Sequence, residues 1–375
     1  MVGWLFWVRS DRMPGAPQVF EIFRSAQLVA RAVLGMSADR CVVTFSPFDD
    51  NRSLGRPGFE QGSFRKSRID AIHVIPGGNQ GYQYPELPQL CSQIAEVTAT
   101  YEHVVAYGSS MGGYAAIRYG GWAGAHVALA LSPQFTLDPS QRPYDGRWRK
   151  HVKEVRFLHE HGNNAVKQAI VLYDPSDDYD CAHAGLLHTI TNVVAVPLPG
   201  SGHPSTSFLS ELDLLHRIAI EVCYERFVPE PFLAEVNRRR EESPQFHVVR
   251  ALRARNRKER YRLISQAAAR TPTHSGTLHA LAEIAIEAGF PEVALDALDR
   301  TTRAEPGRTQ YLRSLAHEKA GQLEQAIEIM EELCRPNTES PVYRSALSRL
   351  KRRRTLQAWV RQPWRWLARR RHAND

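Results

Sequence analysis

Residues 107–116 read YGSSMGGYAA, and Gly108-Ser109-Ser110-Met111-Gly112 within them fits the pattern G-x-S-x-G. That pattern presents a serine hydroxyl as a nucleophile when a strand runs into it and a helix leaves it. A hydroxyl is hardly ionised at neutral pH, so Ser110 would need a general base. The chain has 15 histidines. His203, in LPGSGHPS, stands out because it follows the last apolar run and so sits on a loop at a strand end. An imidazole acting as base needs a third group to fix its tautomer and stabilise its charged form. The segment DPSDDYDCAHAG offers Asp174, Asp177, Asp178 and Asp180 directly after the run AIVLY. Asp180 is favoured because it precedes CAHAGLL, which reads as a helix start. Asp177 comes next and Asp174 third, since an aspartate at a strand end often holds a turn through its own backbone bonds. The competing reading of the cluster is a solvated acidic turn that caps the helix.

The elements that must carry these residues are legible in the hydrophobic pattern. Apolar, β-branched runs fall at CVVTF (41–45), AIHVI (71–75), HVVAY (103–107), HVALAL (126–131), AIVLY (169–173) and VVAVPL (193–198). Continuous apolar runs of this length suit strands covered on both faces, as in a parallel sheet. Helical stretches alternate with them. From Pro85 to Tyr101, Leu87, Leu90, Ile94 and Val97 share one face, and a second helix runs from Met111 to about Tyr119. The rhythm predicts an α/β domain with a doubly wound, mostly parallel sheet. It also supplies the strand before Ser110 and the helix after it, with Gly108 and Gly112 leaving room for a strained turn.

From about residue 233 the composition shifts to Ala, Leu, Glu and Arg. EAGFPEVALDAL (287–298) aligns with KAGQLEQAIEIM (319–330), matching Gly289 to Gly321, Ala294 to Ala326 and Glu292 to Glu324. Each segment reads as a helix ended by an Ala-Gly turn, then a second amphipathic helix. This resembles tetratricopeptide repeats, which pair two helices in about 34 residues. A degenerate earlier unit extends from Gln245 to Pro272, although most large aromatic residues of the repeat consensus are absent. The expected organisation is an α/β domain over 1–230, an all-α helical-repeat domain over 233–350 that recruits a protein partner, and a basic tail over 351–375.

Residues 40–205 together resemble the α/β-hydrolase superfamily, on the strength of the G-x-S-x-G turn, the acidic loop after AIVLY and the histidine of GSGH, in the chain order Ser, Asp, His. The resemblance implies a serine esterase or related hydrolase acting on an ester or acylated substrate, a polymer-borne one included, through Ser110, His203 and Asp180. It implies no metal and no organic cofactor. It also implies two oxyanion donors. One is the Met111 N–H. The other comes from the loop Ser46-Pro47-Phe48, which departs from the usual His-Gly pattern; Pro47 has no N–H, so Ser46 or Phe48 must serve. The loop PGGNQGYQYPE (76–86) offers Gly78 and Asn79 as alternates. LSPQFTLDPSQRPYDGRWRK (131–150) suits a small cap, with Phe135, Tyr144 and Trp148 either lining a pocket or simply packing. Two rival functions stay open: a non-catalytic scaffold on this fold, and an acyltransferase using the same three residues.

The chain has 375 residues, 48 Lys and Arg, and 40 Asp and Glu. Nine of the basic residues and one of the acidic ones lie in 351–375, so the rest of the chain is balanced. Residues 351–371, KRRRTLQAWVRQPWRWLARRR, set three tryptophans among those cations, with Pro363 interrupting any continuous helix. Such a segment suits an anionic membrane surface or docking on the repeats; no recognised module supports nucleic acid. MVGWLFWVRSDR lacks the charged and small-residue flanks of a signal peptide, and Met13 is an alternative start. The five cysteines show no metal-type spacing, which points to reduced thiols. The expected location is cytoplasmic, peripheral at a membrane if the tail engages one.

Overall fold

The computed structural model describes residues 15–143, 145–153, 155–160, 164–270, 272–301, 306–335 and 341–361. Met1, Met13, Tyr144, Pro363 and the segment 362–371 of the basic tail lie outside them. The chain divides into two compact units, Met1–Arg240 and Glu241–Asp375.

The first unit is built on an eight-stranded sheet in the order β1-β2-β4-β3-β5-β6-β7-β8. The strands are β1 (Gln18–Arg24), β2 (Leu28–Leu34), β3 (Arg40–Phe45), β4 (Asp70–Pro76), β5 (His103–Ser109), β6 (Val127–Leu131), β7 (Gln168–Tyr173) and β8 (Asn192–Pro197). β2 runs antiparallel to both β1 and β4, and the pairings from β4 to β8 are parallel. The six apolar runs read from the sequence correspond to β3–β8. The hairpin β1–β2 was not among them. β1 is an edge strand whose mixed polar sequence gives a weak apolar signal.

Helices cover both faces. They include α1 (Gln61–Lys66), α2 (Leu87–Thr98), α3 (Met111–Tyr119), a short α4 (Arg149–Val152), α5 (Asp178–Leu186), α6 (Thr206–Glu211), α7 (Leu215–Cys223) and α8 (Pro229–Arg239). Successive strand residues face opposite sides. Val104 and Ala106 of β5 join the core beneath α2 and α3, whereas Tyr107 meets Phe59 and Phe64 with ring centroids 5.0 and 5.9 Å apart. The first unit extends beyond residue 230 because α8 is anchored to it. Phe232 and Val236 are buried, and Glu235 pairs with Arg217 of α7 at 2.7 Å.

The sheet sets the site through its register. Ser109 pairs with Leu131, Leu131 with Leu172, and Tyr173 with Pro197. The carboxyl ends of β5, β6, β7 and β8 therefore lie side by side, and the loops leaving them share one edge, where open α/β sheets bind ligands.

The second unit is a run of helical hairpins: α9 (Pro244–Arg253) with α10 (Arg257–Ala269), α11 (Ser275–Ala288) with α12 (Pro291–Asp299), and α13 (Pro306–Lys319) with α14 (Leu323–Leu333), followed by α15 (Pro341–Arg361). Gly289 and Gly321 end α11 and α13 at φ 81° and 82°, a left-handed conformation that glycine adopts without a Cβ penalty. The matched Ala294 and Ala326 are wholly buried, as small residues at close helix contacts must be. The boundary expected at residue 351 falls inside α15. The cations there are held by acids of the preceding helices: Lys351 by Glu331 at 2.7 Å, Arg353 by Glu318 at 2.9 Å and Arg354 by Glu324 at 3.4 Å. Among the described residues, no helix is long and apolar enough to cross a membrane.

Candidate active site

Ser110 occupies the turn between β5 and α3 with φ 51° and ψ −118°, a strained conformation for a residue with a side chain. The turn is held from both sides: the Ser110 N–H donates to the Leu131 carbonyl at 2.8 Å, and its carbonyl accepts from the Tyr114 N–H at 2.9 Å. The flanking glycines are sterically required. A Cβ on Gly108 would lie 2.2 Å from the Gly112 carbonyl oxygen, and one on Gly112 would lie 2.2 Å from that of Phe45. The same approach brings the loop after β3 against the start of α3.

Ser110 Oγ lies 3.0 Å from His203 Nε2, and His203 Nδ1 lies 2.7 Å from Asp180 Oδ1. Ser110 and Asp180 are buried, and the His203 side chain is 14 % exposed. The loop carrying His203 is tied down by Asp174, whose Oδ1 accepts from the Gly200 N–H (3.1 Å) and the Ser176 N–H (2.9 Å), and whose Oδ2 accepts from the Gly202 N–H (2.9 Å). Ser132 Oγ accepts from the Ser205 N–H at 3.2 Å, fixing the other flank. Asp177 caps α5, with Oδ1 accepting from the N–H groups of Tyr179 and Asp180 at 3.1 and 3.0 Å. Asp178 is exposed. The acidic cluster thus divides its work: Asp174 holds the loop, Asp177 starts the helix, and Asp180, one turn in, meets the imidazole.

Burial alone would raise the Asp180 carboxyl. The bond to His203, the charge of that imidazole and the Arg147 guanidinium outweigh it and hold the group below its ordinary value. Asp174 is likewise lowered, with burial opposed by the donors of Ser176, Gly202 and Gly200. His183 is pushed down to about 4, chiefly by burial. It is therefore neutral at pH 7, and its Nδ1 accepts the Phe135 N–H at 3.0 Å.

Two polar residues near these contacts were not singled out from the sequence. Arg147 reaches Asp145 Oδ2 at 2.7 Å, Asp180 Oδ1 at 3.1 Å and Asp177 Oδ2 at 3.4 Å. Gln134 Nε2 lies 3.2 Å from Ser110 Oγ. A sequence signal did exist for Gln134, since it is a polar residue three positions past the apolar end of β6, in a segment that also holds Phe135, Tyr144 and Trp148. Of these, Trp148 is buried and packs its ring against Phe48 at 5.6 Å, and Phe135 sits under the Arg118 guanidinium at 5.1 Å. Both are packing residues first.

The oxyanion candidates separate by what their donors already do. Met111 opens α3, where the first N–H groups have no partner within the helix. The Ser46 N–H is directed at the Val74 carbonyl at 3.3 Å, and its hydroxyl at the same oxygen at 3.2 Å. Asn79 turns its amide to the Asp49 backbone, with Oδ1 accepting from Asp49 N at 3.1 Å and Nδ2 donating to Asp49 O at 2.9 Å. Gly78 accepts from the Tyr84 hydroxyl at 2.7 Å through its carbonyl. Among the described residues no hydrogen bond from the Phe48 N–H is present. No group of three or more His, Cys, Asp or Glu side chains among them could hold a metal ion.

No family model matches the chain, and no curated protein matches it. Solved structures similar to it include an esterase of Pyrococcus furiosus, 13% identical with a TM-score of 0.37 over 54% of this chain and 89% of that one. A dienelactone hydrolase from Anabaena variabilis is 14% identical with a TM-score of 0.35, over 57% and 100% of the two chains. The capsule O-acetyltransferase of Neisseria meningitidis serogroup A is 12% identical with a TM-score of 0.36, over 57% and 96%. At TM-scores below 0.5 these likenesses establish neither fold nor activity for this chain.

Proposed function

We propose that the chain is a serine hydrolase of α/β-hydrolase type, acting on an ester or related acyl substrate. The observation that carries the reading is the chain of contacts from Ser110 Oγ to His203 Nε2 at 3.0 Å and from His203 Nδ1 to Asp180 Oδ1 at 2.7 Å. Those distances lie within hydrogen-bond reach for a nucleophile, its general base and the group that orients the base.

In this mechanism Ser110 Oγ attacks the acyl carbonyl as its proton passes to His203 Nε2. The carbonyl π pair moves to oxygen, and the oxyanion forms at the N-terminus of α3, facing the Met111 N–H. Phe48 supplies the second N–H, because that of Ser46 is turned to the sheet and the side chain of Asn79 to Asp49; Gly78 is the remaining alternate. His203 then protonates the leaving alcohol. An incoming water or hydroxyl, deprotonated by His203, releases the acyl group and restores Ser110. Asp180 keeps the proton of the imidazole on Nδ1 and stabilises its charged form.

The helical hairpins of the second unit, read as tetratricopeptide-like, would bind a protein partner, and residues 351–371 an anionic membrane surface. Burial pushes the Cys91 and Cys223 thiols up to about 12, which makes these two thiols unreactive at neutral pH.

Labelling with a fluorophosphonate tests the reading. The wild type should be labelled, and Ser110→Ala and His203→Ala should not. A well-folded wild type that takes no label would shift the reading to a scaffold that uses the fold without its chemistry.

A further inference from the structure

Gln134 is wholly enclosed, and its two amide atoms differ in what they meet. Nε2 is 3.2 Å from Ser110 Oγ. Oε1 is buried with no hydrogen-bond partner among the described residues. A buried amide oxygen left unpaired is costly and uncommon in folded proteins. Here it lies on the residue that touches the reacting atom.

The residues around Gln134 are clamped. The Ser132 N–H donates to the Leu172 carbonyl at 2.6 Å. A Cβ on Gly113 would lie 3.2 Å from Pro133, so the helix start and this loop are in close contact. The Phe135 N–H donates to His183 Nδ1 at 3.0 Å, and the Phe135 carbonyl accepts from Arg118 Nε and Nη2 at 3.0 and 2.7 Å. Arg118 is on α3, the helix that follows Ser110, so one rigid element fixes both the serine and the amide. Groups held in this way keep their geometry through a reaction.

We infer that Gln134 is a further catalytic residue, donating its amide N–H to Ser110 Oγ; the inference rests on Ser110 being the nucleophile. The chemistry follows from the count of protons. A serine hydroxyl has one proton and two lone pairs. With Nε2 of Gln134 donating to one lone pair, the single proton is left for His203 Nε2, the direction needed for attack. The second lone pair is free to form the new bond. As the proton leaves, negative charge grows on Oγ, and the amide donor becomes stronger. Its preorganisation means that no solvent has to reorient at that moment.

The test is the second-order rate of fluorophosphonate labelling of the full chain across pH. In that reaction the Ser110 Oγ–P bond forms, fluoride leaves, and the hydroxyl proton goes to His203. Gln134→Met keeps the volume and removes the donor. It should label about 10- to 100-fold more slowly, somewhat less than the ~10²–10³ lost with an oxyanion donor, at an unchanged melting temperature. Gln134→Glu sets a carboxylate beside the Ser110–His203 pair. The negative charge favours the imidazolium, so the acid limb of the rate profile should move to higher pH. Gln134→Met labelling within twofold of wild type would overturn the inference. A slow Gln134→Met with an unmoved limb in Gln134→Glu would overturn it as well, since the loss would then be one of packing. Should Gln134→Met unfold, Gln134→Glu decides alone through its limb. An unlabelled wild type removes the nucleophile, and the inference falls with it; labelling that is lost in Ser110→Ala and His203→Ala, and untouched at Gln134, leaves the hydrolase reading standing.

Discussion

In the helical unit, His279 Nε2 and Thr309 Oγ1 bond to one another across 2.8 Å, and the Ser314 hydroxyl closes on the Ala326 carbonyl at 2.8 Å. Those contacts tie one helix to the next. At the carboxyl edge of the sheet, Ser110, Asp180 and Gln134 are as deeply buried, but their contacts run as an open chain from a strained serine through His203 to a carboxylate. Charges follow the same contrast. Arg353 and Arg354 lie on the surface of α15 paired with acids of neighbouring helices, where each pair is worth at most about 1 kcal/mol. Arg147, its side chain 31 % exposed, is shared among three aspartates, one of which meets the His203 imidazole. Unpartnered buried atoms occur in both units, at His247 Nδ1 as at Gln134 Oε1, so what sets the Ser110 edge apart is the chain of contacts from serine to imidazole to carboxylate.

The sharpest way to break this comparison is to treat two aspartates alike. Asp180→Asn should slow labelling by about 10³–10⁴-fold, the scale expected when the imidazole loses its orienting carboxylate, with little change in melting temperature. Asp174→Ala should act through stability instead, costing roughly 2–3 kcal/mol because buried N–H groups of Gly200 and Gly202 lose their acceptor. Equal effects on rate and stability in both variants would mean that the two carboxylates do the same structural work.

Acid should separate the units next. Burial holds His73 at about 3 and His183 at about 4, against 6.5 for the free side chain. A lowered folded value means that the unfolded chain takes up the proton first. Stability should therefore fall as pH drops from about 6.5 toward those folded values, by roughly 2 kcal/mol for each histidine between pH 7 and 5. Among the described residues of the second unit one imidazole is moved as far, His279, at about 4, so the sheet unit should lose more. Denaturant titrations at pH 7 and 5, read by signals from each unit, would show whether it does.

The smallest effect belongs to the repeats. Gly289→Ala forces a side chain into φ 81° and should cost about 1 kcal/mol, read as a lower denaturation midpoint of the helical unit. The same change at Gly321 should match it. Unequal costs would argue that the two hairpins, alike in sequence, are held differently.

Much of the molecule was legible in local pattern. Apolar runs bounded by turn residues mark β3 to β8; β3 to β7 are covered on both faces and apolar at nearly every position, whereas β8, at the sheet edge, keeps an apolar run while mostly half-buried or exposed. G-x-S-x-G marks the turn at Ser110, because a strained serine needs glycines where backbone meets backbone, as Gly108 meets Gly112 and Gly112 meets Phe45. The paired glycines at 289 and 321 mark helix ends for a similar reason. β1 was not legible, since Gln18, Glu21 and Arg24 interrupt its apolar residues, and Arg31 interrupts those of β2.

Other features depended on register and on loops that meet only in three dimensions. Four aspartates in seven residues are equivalent to any local rule. Only the pairing of β7 with β8, together with the backbone N–H groups of Gly200 and Gly202, turns Asp174 to the loop and leaves Asp180 to His203. Ser46 and Phe48 are alike as N–H donors in the sequence, until the bond from Ser46 to the Val74 carbonyl on the neighbouring strand distinguishes them. Gln134 reads as one polar residue after a strand, and becomes a partner of Ser110 because β5 and β6 end side by side. The sequence by itself determined most of the strands, turns and helices, since those follow from local sterics and periodic burial. The tertiary structure alone decided which side chains share a hydrogen bond, since a bond formed across tens of residues of chain depends on strand order and register.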